Sequence, residues 1–369
     1  MGLSPFKLER YFAKYEFNVA YTLCSSDCQS FTIQELLDLE PDAAERFHQH
    51  WLGYTESPGS PSLRQEIARV YTAISPDQVL VHAGAEEAIF LLMHAALSPG
   101  DHLIVHFPCY QSLVEVARSL GCELTLWSGR EANGWALDLD ELERGLRPNT
   151  RLIVLNTPHN PTGYLMPPED FHALTRLAQE RGILLFSDEV YREAEHRPED
   201  RLPAACDVSA SAVSLGVMSK TYGLPGLRIG WVATRDAAIL SRMAALKDYT
   251  TICNSAPSEF LAELGLRHRG ALAERNLGII RRNLSILDDF FASHAERFAW
   301  RRPKAGPIAF PRLMVGDIEA FCHDLVMRAG VLLLPGSVYD DTGNHFRIGF
   351  GRQNLPEAAA RLEDYLKTV

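Results

Sequence analysis

The sequence predicts an α/β fold: a mainly parallel, seven-stranded sheet flanked by helices, joined to a second, smaller α+β domain. Three observations lead to it. Seven short β-rich runs alternate with helix-patterned segments between residues 78 and 234. Several of these runs are apolar almost throughout, as strands covered on both faces must be. Beyond about residue 270 the alternation gives way to one long amphipathic stretch and a set of short, turn-rich pieces.

In chain order the runs are Gln78–His82, His102–Phe107, Glu123–Trp127, Leu152–Asn156, Ile183–Ser187, Ala212–Met218 and Arg228–Thr234. Helical segments fill the intervals, and a strand–helix–strand crossover sets successive strands parallel. The clearest helix opens at Pro167-Pro168, because proline in the first helical turn sacrifices no hydrogen bond. It carries Phe171, Leu174, Leu177 and Ala178 on one face and stops at Gly182. In the tail, Leu277, Ile280, Leu284, Leu287 and Phe291 recur three and four apart, one stripe of a long helix. Short β-like pieces follow at Gly306–Phe310, Val331–Leu334 and Phe346–Phe350. A chain of 369 residues exceeds what one core sustains. The expected division is a large domain over 46–270 and a small domain made of 1–45 plus 271–369.

Composition narrows the function. A net charge of −11 speaks against nucleic acid or an anionic membrane as partner, since both require a basic surface. No apolar run reaches the roughly 18–20 residues that cross a bilayer. Met1–Arg10 carries charges and Pro5 where a signal peptide would be apolar, so a cytoplasmic protein is expected. Of seven cysteines only Cys24 and Cys28 lie close, and no second pair completes a zinc site. They read as reduced, mostly buried thiols. His102 and His106, four apart on a strand, do not make a metal site either.

In an open α/β sheet, ligands gather beyond the carboxyl ends of the strands. Asn160 lies just past Asn156, Asp188 follows Ser187 with Tyr191 three residues on, and Lys220 follows Ser219 with Arg228 eight residues beyond. Gly84-Ala85-Glu86 ends the first run and opens a helix whose free N–H groups suit a phosphate. Singly, each has a plain reading. Asn160-Pro161-Thr162-Gly163 is a turn, Asp188 a helix cap, Lys220 a solvated surface lysine. Together they aim an amine, a carboxylate, an amide, a phenol and a guanidinium at one crevice. Those groups are what pyridoxal 5′-phosphate (PLP) chemistry needs. A desolvated lysine beside a cation has a lowered pKa and condenses with an aldehyde. A buried carboxylate keeps a pyridine nitrogen protonated, and a guanidinium with a helix start neutralises a phosphate.

Four motifs carry a resemblance: Asn160-Pro161-Thr162-Gly163, Ser187-Asp188-Glu189-Val190-Tyr191, Ser219-Lys220-Thr221-Tyr222-Gly223 and Leu227-Arg228-Ile229-Gly230-Trp231. In this order and spacing the chain resembles fold-type I PLP enzymes, specifically class I/II aminotransferases, over nearly its whole length. The resemblance implies Lys220 as the Schiff-base lysine and proton carrier and Asp188 as partner of the pyridine nitrogen. Asn160 and Tyr191 would contact the ring hydroxyl, and Tyr110 would stack on the ring. Ser219, Arg228 and the backbone of Gly84, Ala85 and Glu86 would hold the phosphate. Arg347 would grip the substrate α-carboxylate, a fork-to-carboxylate contact, with a structural ion pair as its plainer role. Tyr54 would reach the phosphate of a neighbouring subunit, which implies a homodimer with shared active sites. The implied reaction moves an amino group between an L-amino acid and a 2-oxo acid.

There are departures. Val217 stands where many relatives place a phosphate-binding Ser or Thr. Glu86 stands where a small or neutral residue is common, so its side chain is expected to turn away from the phosphate. The usual Gly-x-Pro substrate loop is replaced by Leu23-Cys24-Ser25-Ser26-Asp27-Cys28, which makes Ser25 and Ser26 candidate substrate contacts. That segment, with Gly306–Arg312 and Pro335-Gly336, is similar to the capreomycidine synthases, PLP enzymes that build a cyclic arginine derivative and do not transaminate. A lyase or cyclase reaction on the same cofactor is therefore the alternative. Two other functions fit less well. A nicotinamide dehydrogenase would show Gly-x-Gly-x-x-Gly where Gly84-Ala85-Glu86-Glu87 stands. A PLP-fold regulator would carry a DNA-binding domain ahead of the sheet, where only some 45 residues, acidic on balance, precede it.

Overall fold

The seven apolar runs form one sheet in the computed structural model, which describes residues 2–369. Its strands are β1 (Val79–His82), β2 (His102–Phe107), β3 (Glu123–Ser128), β4 (Thr150–Asn156), β5 (Leu184–Asp188), β6 (Ala212–Val217) and β7 (Gly230–Thr234). Their order is β1-β7-β6-β5-β4-β2-β3. β7 runs antiparallel to both neighbours, β1 and β6, and all other pairs are parallel. Two boundaries differ from expectation with consequences for the site. Asp188, expected just past its strand, is the last residue of β5. Arg228 and Ile229 fall outside β7, because Arg228 adopts a left-handed backbone (φ +53°) that no strand contains.

Four helices position the site: α1 (Lys7–Tyr15), α2 (Ala85–Ala96), α3 (Pro168–Glu180) and α4 (Arg269–Ser293). The sheet is covered on both faces, which is why its strands read as unbroken apolar runs. In β4, Leu152 and Val154 pack into the layer that holds Ala88 and Leu92 of α2. Ile153 and Leu155 pack instead with Phe171, Leu174 and Ala178 of α3. Each such fully buried aliphatic side chain contributes about 1.5–3 kcal/mol relative to exposure.

The tail has its own core. Leu277, Ile280, Leu284, Leu287 and Phe291, the stripe of α4, pack with Leu325, Val331, Ile348 and Leu362. There β8 (Ile308–Ala309), β9 (Leu334–Pro335) and β10 (Phe346–Gly349) form a small antiparallel sheet in the order β8-β10-β9. The first 45 residues are shared between the two cores. Leu23 and Cys28 join the tail, whereas Leu36, Leu37 and Ala43 lie under the large sheet with Leu63, Val79 and Trp231. The changeover falls at Thr32, whose capping box with Glu35 starts the short helix Ile33–Leu37. α1 bridges both lobes. Lys7 N donates to Gln111 Oε1 at 2.8 Å, and Tyr11 Oη to the Leu333 carbonyl at 2.9 Å.

Among the described residues no helix is long and apolar enough to cross a membrane. None of the seven cysteines is paired and all but Cys253 are buried. Burial pushes the thiols of Cys24 and Cys28 up to about 12, which leaves them unreactive.

Candidate active site

Strand register builds the site. Asn156 pairs with Asp188 across β4 and β5, and Asp188 with Leu215 on β6. Neighbouring carboxyl ends therefore finish level, and the loops leaving them enclose a cavity of about 280 Å³. Ser25, Ser26, Ala85, Glu86, Tyr110, Asn160, Asp188, Tyr191, Ser219, Lys220, Arg228 and Arg347 all line it. Gly84 lies beside it against Arg228. Tyr54 does not reach the cavity of its own chain.

Lys220 Nζ donates to Ser26 Oγ at 2.9 Å. Burial holds its ammonium below the ordinary lysine range, and Arg347 and Arg228 push the same way, while Asp27 and Asp188 oppose them. The amine is thereby readied for condensation. Asp188 is 5% exposed, with a single N–H, that of Val190, at 3.3 Å from its carboxylate. Burial raises its pKa to about 7. A carboxyl so poorly solvated gains most from a cationic partner. Asn156 fixes its place: Nδ2 donates to the Asp188 carbonyl at 2.9 Å, and Oδ1 accepts from Asn160 N at 2.7 Å.

Asn160 Oδ1 accepts from Tyr339 Oη at 3.1 Å and Arg347 Nη1 at 3.3 Å, which leaves its NH2 as the group offered to a ligand. Arg347 is 1% exposed. Its Nε donates to the Cys24 carbonyl at 2.9 Å and its Nη1 also to the Tyr339 hydroxyl, but Nη2 has no partner among the described residues. A buried cationic donor left unpaired is costly, and an incoming carboxylate relieves it. Tyr191 Oη donates at 3.1 Å to the Ser26 carbonyl. Tyr110 packs on Phe6 with ring centroids 5.1 Å apart.

The other end suits a phosphate. Ser219 Oγ is buried with no partner among the described residues. Gly84 caps α2 at φ +88°, and a Cβ there would stand 2.5 Å from Arg228 Nη2, so only glycine lets the guanidinium reach the helix start. Arg228 pays for its own left-handed backbone with about 1–2 kcal/mol. One oxygen of the Glu86 carboxyl accepts from the Ser112 hydroxyl, and the other is buried with no partner among the described residues. Val217 contributes only apolar wall.

These groups fit PLP. An orphaned hydroxyl, a helix start and Arg228 match its phosphate, Asp188 its ring nitrogen, the Asn160 amide its ring oxygen and Lys220 its aldehyde. Sequence reasoning missed Asn156, Tyr339, the Asp27–Arg352 pair and the α1 wall of Leu8, Glu9, Phe12 and Glu16. Asn156 had a signal, a polar residue closing an apolar run; the others had none.

Fold and site together define a PLP-dependent enzyme of fold type I. The chain belongs to the aminotransferase class I and II family, whose sequence model matches residues 20–362. Members take amino acid substrates and are typically dimeric. The chain is similar to the capreomycidine synthase of Streptomyces vinaceus, 31% identical over 367 residues that cover 98% of this chain and 93% of that one. Among solved structures it resembles a PLP-dependent aminotransferase of Streptococcus suis (32% identity, TM-score 0.93, covering 100% and 99% of the two chains). It also resembles the PLP-dependent cyclase OrfR (30% identity, TM-score 0.91, covering 100% and 98%).

Proposed function

We propose that the chain is an aminotransferase that moves an amino group between an L-amino acid and a 2-oxo acid. The observation that carries this reading is the unfilled Nη2 of buried Arg347, in the same cavity as Lys220. Amino acid and oxo acid share a carboxylate, so one guanidinium serves both halves of the reaction.

Bound PLP supplies a sink for the electron pair left at the substrate α-carbon. Lys220 Nζ, whose charged form burial disfavours, takes the α-proton and redelivers it. Asp188 would keep the ring nitrogen protonated, and the Asn160 NH2 would be the donor for the ring oxygen. Ser219, Arg228 and the start of α2 would hold the phosphate. Arg347 orients the substrate carboxylate, backed by Tyr339 and Asn160.

The second reading, a lyase or cyclase without net transamination, is favoured by the acid-bearing α1 wall, where Glu9 and Glu16 face the cavity. One experiment separates them: holoenzyme is mixed with the common L-amino acids, arginine included, without oxo acid. Transamination gives one equivalent of oxo acid and the spectrum of the aminated cofactor, then stops. Continued product formation without oxo acid supports the second reading, and no conversion with any donor removes the first.

We further propose a homodimer with shared active sites. Tyr54 is 87% exposed, with Trp51, Leu52, Tyr249 and Ile252 also exposed. Contacts from Thr55 Oγ1 to the Asn254 carbonyl (3.2 Å) and from Ser57 Oγ to Asp248 (3.3 Å) hold the two segments side by side. An apolar strip of this kind suits a second copy of the chain. Sedimentation is expected to give twice the chain mass. Mixing Tyr54→Ala with Lys220→Ala chains should yield more activity than the two separately, because one intact site forms per mixed dimer. A monomer in solution, or no gain on mixing, removes the shared site.

A further inference from the structure

The segment Leu23–Cys28 is anchored from both lobes. On the small-lobe side, Gly349 N donates to the Leu23 carbonyl at 3.0 Å and Gln29 N to the Gly351 carbonyl at 2.8 Å. A Cβ on Gly349 would overlap the Ser25 carbonyl oxygen, so the segment lies directly on the end of β10 and glycine is required there. Arg347 Nε holds the Cys24 carbonyl, and Arg352 Nη2 contacts both carboxylate oxygens of Asp27 at 3.0 Å. From the sheet, Tyr191 Oη holds the Ser26 carbonyl. The two candidate serines part ways here. Ser25 is buried and turns its hydroxyl back to the Thr22 carbonyl at 3.4 Å. Ser26 Oγ takes the hydrogen bond from Lys220 Nζ at 2.9 Å and has no other partner among the described residues.

Under the proposed function, Lys220 becomes an unbonded amine each time a substrate displaces it, within reach of Ser26 Oγ. On that basis we propose that Ser26 is a catalytic residue whose hydroxyl receives the Lys220 amine while that amine is not bonded to the cofactor, and so directs its lone pair. A lysine amine on four methylenes has many rotamers, and a fixed acceptor selects one. When Lys220 takes the α-proton, the C–H bond breaks with its electron pair left on carbon, and a new N–H forms. The ammonium keeps its contact with Ser26 Oγ, a charge-assisted bond stronger than the neutral one. Redelivery breaks that N–H and restores the amine, and Ser26 keeps its own proton throughout.

The test uses the full chain carrying Ser26→Ala or Ser26→Thr. The pH profile for the rate at which apo-protein bonds added PLP, followed by absorbance, reports the Lys220 amine and requires no substrate. Asp27 from the loop, Asp188 from β5, Arg347 from β10 and Arg228 from the turn after Lys220 also face this amine and remain in every variant. Removing an acceptor that favours the ammonium should move the Ser26→Ala midpoint down by roughly 0.3–1 pH unit. It should also slow α-proton exchange of the best amino donor roughly 3–10-fold with KM held, and Ser26→Thr should restore both. A serine that only shapes its loop would lower melting temperature or raise KM and leave the midpoint in place, which overturns the assignment. A wild-type protein that bonds no cofactor sinks the proposed function and this assignment together. Superimposed wild-type and Ser26→Ala profiles sink the assignment alone.

Discussion

Lys220→Ala is expected to fold, to bind PLP without the absorbance of a lysine–cofactor bond, and to lose activity by roughly 10³–10⁴-fold. The amine serves both as nucleophile toward the aldehyde and as proton carrier, and a positioned acid–base group alone is worth about 10²–10⁴-fold. Fold and function separate here for a structural reason. Lys220 lies at the wall of an existing cavity, so truncation opens no new void in a packed core. Its buried amine already resists protonation, and removing it relieves that cost. A melting temperature within a few degrees of wild type is therefore the companion result. Wild-type turnover by Lys220→Ala would falsify the assignment of this residue.

Asp188→Asn should weaken function while strengthening the apo-protein. Without the carboxylate the ring nitrogen loses its counter-charge, and activity falls by roughly 10²–10³-fold, about 3–4 kcal/mol, as for other broken buried charge pairs. Stability runs the opposite way. The unfolded Asp188 carboxyl releases its proton near pH 4, whereas the folded one holds it to about 7. A raised acid pKa means that the folded state is favoured below the unfolded value and loses ground as pH rises through that window. The loss is on the order of 4 kcal/mol, about 1.4 kcal/mol per pKa unit. Wild-type apo-protein should thus melt lower at pH 8 than at pH 5, Asp188→Asn should lose most of that slope, and PLP should restore the wild type most at the higher pH. Thermal melts of both proteins across this range, with and without PLP, check it. A flat wild-type profile would mean that Asp188 is already matched by a cation in the apo-protein.

The sheet was legible because burial on both faces leaves its strands no polar alternation; Leu152-Ile153-Val154-Leu155 is the plainest case. Residues just past strand ends were legible for the same reason, since a polar side chain stands out after such a run. What escaped was set by partners far away in sequence. Tyr339 sits beside Arg347 and Asn160 only because β10 and the β4 loop meet across the cleft. The left-handed turn at Arg228 has no signature in a non-glycine residue, so the run was read two residues too far. The first 45 residues looked like one packing unit, yet Thr32 turns the chain from the tail core to the underside of the sheet.

α1 has a consequence for the order in which the protein is completed. This helix is synthesised ahead of its anchors, which lie 104 positions downstream at Gln111 and 322 at Leu333. Contacts of such separation form late, after long loops have closed. A nascent chain can finish its sheet, with Lys220 and Asp188 in place, while the wall over them waits for the segment around Leu333 to emerge. For that interval the cleft stands open to water and to cofactor alike.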